Sequence, residues 1–201
     1  MKKSWIVLSV VVVLSVGGIS YSFADEKYSE FEKGAEFAKY YQKTIAQKNN
    51  KISSLTNESN EISEDEILDK IARYKAYSKA FGIQLSEEQA IEKLKERKLL
   101  AKFANEHNIY PADKEIDAYI KEIAESYKST KYDVVEGIME ELGIDEEEFF
   151  FRFSRDGYEE ALVRLKILEK LKDENERLTE ESEAVYHNRM LEELNSLIKD
   201  L

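Results

Sequence analysis

Ser63-Glu64-Asp65-Glu66-Ile67-Leu68-Asp69-Lys70-Ile71-Ala72-Arg73-Tyr74-Lys75-Ala76-Tyr77-Ser78-Lys79-Ala80-Phe81-Gly82 is the stretch whose reading decides the fold class. Ser63 and Glu66 stand at capping-box spacing: a serine oxygen takes one free helix amide and the glutamate returns the bond. Behind them Ile67, Ile71, Tyr74, Ser78 and Phe81 recur by fours and threes and draw one stripe along a helix. Gly82 closes it, since glycine accepts the left-handed conformation that commonly ends helices.

The same grammar continues on both sides. Ser86-Glu87-Glu88-Gln89 opens a second helix that carries Ile91, Leu94, Leu99, Leu100 and Phe103 to about His107. Pro111 sets the start of a third, with Ile116, Ile120, Ile123 and Tyr127, and Ser129-Thr130 breaks it. A short helix follows over Tyr132–Leu142, ended by Gly143. Asp145 to about Lys172 reads as one long helix, with Gly157 the place for a bend. The polar break Asp173–Arg177 leads to a last helix from Thr179 through Tyr186, Met190, Leu194 and Leu197. Upstream, Tyr28–Lys48 is helix-permissive, and Asn49–Asn60 is a polar linker. One proline, seven glycines and 36% charged residues with periodic apolar positions agree on an all-α chain of long amphipathic helices.

The N-terminus has the three-part layout of a secretory signal. Lys2 and Lys3 precede an uncharged run from Ser4 to Ala24, and Ser22-Phe23-Ala24 offers small residues for cleavage before Asp25. Cleavage between Ala24 and Asp25 is the expectation; an uncleaved anchor is the competing reading, because the run is just long enough to span a bilayer. Residues 1–24 are therefore a signal peptide or anchor, 25–61 an N-terminal helix and linker, 62–172 a helical domain, and 173–201 a C-terminal helix that packs on it. The expected location is outside the cytoplasmic membrane: secreted, wall-associated or anchored on the outer side. The net charge of −12 becomes −14 without Lys2 and Lys3. Such a surface repels nucleic acid and anionic lipid, so contact with a membrane is expected only through an uncleaved N-terminal segment. With no cysteine there is no disulfide, no thiolate chemistry and no lipidated cysteine.

The middle of the chain resembles a known family. Ser86-Glu87-Glu88-Gln89-Ala90-Ile91-Glu92-Lys93-Leu94-Lys95-Glu96-Arg97-Lys98-Leu99-Leu100-Ala101-Lys102-Phe103-Ala104 reads like a helix of the SurA- and PrsA-type foldases. Asn108-Ile109-Tyr110-Pro111-Ala112-Asp113 and the helix through Ile120 match the family's turn and acidic cap, and Gly143-Ile144-Asp145-Glu146-Glu147-Glu148-Phe149 with Leu162–Leu171 looks like its returning helix. The resemblance covers about Ile62 to Leu171. It implies a SurA N-terminal-like chaperone fold, similar also to the peptide-holding part of trigger factor. The chain departs from the pattern in lacking a parvulin-type prolyl isomerase module, so the family's isomerase activity is not carried over.

No chemistry emerges elsewhere, and neither a cofactor nor a metal is expected. His107 and His187 lie far apart, near helix ends or polar faces. No Gly-x-Ser-x-Gly elbow or phosphate-cradling glycine loop occurs. Asp173-Glu174-Asn175-Glu176-Arg177 lacks the glycine and glutamate of a calcium loop, with Leu178 and Ala184 in their places. The acidic run Asp145–Glu148 is accounted for as a favourable helix start. The expectation is a non-enzymatic, exported, peptide-binding chaperone for unfolded or partly folded secreted proteins. The alternative is an envelope interaction or regulatory protein with one dedicated partner. Tyr74, Tyr77, Phe81, Phe149, Phe150, Phe151 and Phe153 are the candidate peptide-binding residues. Four phenylalanines within five positions cannot all face one core, because helical neighbours point about 100° apart. Phe150 or Phe151 is therefore expected to stand exposed together with Tyr77.

Overall fold

The structure, a computed structural model, describes residues 29–47, 63–82 and 86–200. The expected leader, its expected cleavage position Ala24–Asp25 and the expected polar linker Asn49–Asn60 lie outside the described residues. Among the described residues there are eight helices and no strand. They are α1 (Glu30–Ala46), α2 (Glu64–Phe81), α3 (Glu87–Glu106), α4 (Asp113–Ser129), α5 (Asp133–Leu142), the single turn α6 (Glu146–Glu148), α7 (Arg155–Glu174) and α8 (Glu183–Asp200), with a π-turn (Phe149–Phe153) between α6 and α7. The all-α class is as read from the sequence.

Local chemistry sets the helix ends. The Ser63 hydroxyl accepts from the Glu66 amide at 3.2 Å, and the Glu66 carboxylate accepts from the Ser63 amide at 3.0 Å. Ser86 and Gln89 repeat this reciprocal pair, and so do Ser29 and Glu32 at the start of α1. Gly82 (φ 68°) and Gly143 (φ 69°) take the left-handed conformation where α2 and α5 stop. The last helix starts later than Thr179. The Glu181 carboxylate is held by Arg189 at 3.0 Å and accepts from the Leu178 amide at 3.2 Å, which fixes a turn there. Ser182 then caps α8 through the Val185 amide.

Two apolar clusters hold the helices together. The larger one joins α1, α2, α4, α5 and the π-turn through Phe37, Ile71, Tyr74, Ile120, Tyr127, Ile138, Phe149 and Phe150, with Tyr158 of α7. The N-terminal helix is thus part of the main core. It crosses α5 at Gly34 and Gly137, where neither residue has room for a Cβ. The smaller cluster, Leu100, Ala104, Val163, Ile167 and Leu194, seats α8 on α3 and α7. Tyr186 of α8 also donates toward the Lys172 and Asn175 carbonyls at 2.8 and 2.7 Å, so it ties off the C-terminal end of α7.

The long helix expected from Asp145 to Lys172 is interrupted, and at Phe149–Phe153 rather than at Gly157, which lies inside α7. The Ser154 amide reaches back five residues to the Phe149 carbonyl at 2.9 Å, the bond that defines a π-turn. Within the turn Phe149 and Phe150 are both buried, at 1% and 0% exposure.

Candidate functional site

The π-turn also disturbs the backbone ladder just after it. The Gly157 amide, which in a regular helix would bond the Phe153 carbonyl, donates to Ser154 at 3.0 Å. The Phe153 carbonyl instead accepts from Arg73 Nη2 of α2 at 3.0 Å. An unmet buried carbonyl costs about 1–3 kcal/mol, so this reach from α2 replaces a bond that the π-turn removes.

Arg73 is held on every side. Its Nε donates to Asp69 Oδ2 at 2.7 Å, one turn back on α2. Its guanidinium lies 4.4 Å from the Phe153 ring centroid and 5.3 Å from that of Tyr41 on α1. Those two rings meet edge to face at 5.3 Å. The Tyr41 hydroxyl donates to Asp69 Oδ1 at 2.7 Å, so the carboxylate serves both partners. Burial and the Asp69 charge push the Tyr41 phenol up to about 12. Burial opposes the charge on Arg73, but Asp69 outweighs it and raises the guanidinium further.

This group forms one wall of an open cleft of about 440 Å³, completed by Leu142, Ile144, Glu148, Arg152 and Asp156. Leu142, Ile144 and Phe153 offer half-buried apolar surface, while Glu148, Arg152 and Asp156 are exposed. Asp156 is bridged to Arg97 at 3.2 Å. The cleft connects there to a charged layer between α2, α3 and α7. In that layer Glu160 lies 3.6 Å from Lys70 and 3.4 Å from Arg164, and Glu96 takes both Lys93 and Arg164. Burial lowers the Lys70 ammonium below its ordinary value, with Glu160 pulling the other way. Such a layer fixes how helices sit more than it adds net stability, because desolvation offsets most of the attraction.

The sequence-selected aromatic residues divide. Tyr74 (1%), Tyr77 (6%), Phe149 and Phe150 are buried in the main core. The expected exposure of Phe150 and Tyr77 is therefore corrected: the π-turn turns Phe150 inward, and Tyr77 packs on the Phe37 ring at 4.8 Å. Phe81 and Phe151 are half-buried against that core. Phe153 alone of the seven lines the cleft. Tyr41, Asp69, Arg73 and Arg152 were not singled out from the sequence, and Glu148 was read only as part of an acidic helix start. The Asp69–Arg73 spacing was a visible signal, but it reads equally as a routine pair on one helix face. Among the described residues no group of three or more His, Asp or Glu is placed to hold a metal, and no helix is long and apolar enough to cross a membrane. Comparison of the chain with protein-family models, curated proteins and solved structures finds no match.

Proposed function

We propose that the chain is a non-enzymatic module that holds segments of other polypeptides, on the outer side of the membrane that its leader would carry it across. The observation that carries this reading is the cleft beside the π-turn. It pairs half-buried apolar groups with a charged rim, a combination that suits an extended segment. The chaperone role implied by the resemblance to SurA- and PrsA-type foldases is the first form of this reading.

The dedicated-partner form has its own support. A general holdase presents a broad apolar surface. Here Tyr74, Tyr77, Phe149 and Phe150 are spent on the core, and the apolar groups Leu142, Ile144 and Phe153 line a cleft beside the π-turn. One pair of measurements separates the two forms. Suppression of aggregation is measured for several unrelated unfolded proteins, with Ile144→Lys as the cleft-blocked control, and crosslinking in the host identifies bound chains. Broad suppression lost in the variant supports the folding helper. No suppression, with one protein recovered through the cleft, supports the dedicated partner. Neither suppression nor a crosslinked chain overturns both.

A further inference from the structure

Glu148 and Arg152 stand four residues apart, glutamate first, which is the favourable order for a mutual ion pair on a regular helix. They do not pair. Glu148 is the last residue of α6 and Arg152 lies within the π-turn. Among the described residues neither side chain takes another partner, although Asp69, Arg73 and Asp156 around them are all engaged. The cleft thus keeps one open anion and one open cation beside the apolar groups of Leu142, Ile144 and Phe153.

We infer that the cleft selects extended polypeptide segments in which an apolar side chain is flanked by a basic residue on one side and an acidic residue on the other. The apolar residue lies against Ile144 and Phe153, the basic one meets Glu148, and the acidic one meets Arg152. Charge complementarity carries the choice. A segment with two like charges satisfies one rim residue and opposes the other, and like charges in proximity repel. This selectivity rests on the reading of the cleft as a polypeptide site.

The test uses the full chain and three fluorescein-labelled peptides of one length with the same apolar centre. Their flanks are Lys and Glu, Lys and Lys, or Glu and Glu, and binding is read by anisotropy. The mixed-charge peptide is expected to bind about fivefold more tightly than the other two at low salt, a preference that fades as salt rises. Glu148→Lys is expected to shift the preference to the Glu-Glu peptide, and Arg152→Glu to the Lys-Lys peptide. Equal affinities for all three, unmoved by either variant, overturn the charge selection and leave the polypeptide reading standing. No binding of any peptide overturns both.

Discussion

Gly34 of α1 and Gly137 of α5 each press on the backbone of the other's helix. A Cβ on Gly34 would stand 2.0 Å from the Val134 carbonyl oxygen, and one on Gly137 would stand 2.1 Å from that of Phe31. Both obstacles are main-chain atoms inside helices, which cannot swing aside as a flexible side chain does. Gly34→Ala or Gly137→Ala must push the two helices apart. The expected cost is about 3 kcal/mol for each, despite alanine's better helix propensity. Urea unfolding followed by circular dichroism checks it, and a gain in midpoint for either variant would show that the helices do not meet this closely.

The phenylalanine run gives a contrast within two neighbours. Phe150→Ala empties a fully buried site and is expected to cost about 4 kcal/mol. Phe151 is only partly covered, so Phe151→Ala is expected to cost about 1 kcal/mol. Equal losses in denaturant midpoint would contradict the inward turn of Phe150.

Arg73 closes the Phe153 carbonyl that the π-turn leaves open. Arg73→Met is expected to lose about 2–3 kcal/mol, because it strands both that carbonyl and part of the Asp69 carboxylate. Arg73→Lys is expected to recover only part of the loss, since an ammonium lacks the planar fork that reaches two acceptors. Full recovery by lysine, read from thermal and urea unfolding, would show that charge alone suffices.

High pH tests the phenols. Burial and carboxylate neighbours push Tyr41 and Tyr110 up to about 12 from the ordinary 10.0. Their folded-state values lie above the unfolded ones, so the folded chain holds these protons longer. Their contribution is fully present below pH 10 and is lost as pH rises from 10 to about 12. Urea midpoints measured across that window should fall, and should fall less in Tyr41→Phe. Phenolate absorbance should show the Tyr41 titration moving back toward 10.0 in Asp69→Asn.

Helix starts and stops were legible because they rest on neighbouring residues. Ser63 with Glu66, Ser86 with Gln89, and the stops at Gly82 and Gly143 follow from local hydrogen bonding and backbone freedom. Legibility ended where two effects compete at one place. The Phe149–Phe153 run was visibly too crowded for one helix face, but the sequence does not say whether a side chain is expelled or the backbone widens. The backbone widens, and the candidate site moves with it. Tyr41, Asp69 and Arg73 become neighbours of Phe153 only through packing across 80 to 112 residues of chain, a relation that no periodicity encodes.

The surplus residue of the π-turn is absorbed where it stands. The wide turn reaches back five residues instead of four, so α7 keeps the phase that points Glu160 at Lys70 and Arg164 at Glu96 and seats Leu194 beside Val163 and Ile167. A deletion of Phe151 would let the turn wind regularly with α7 still in phase. A residue removed inside α7 itself has no such slack and would swing everything beyond it by about 100°.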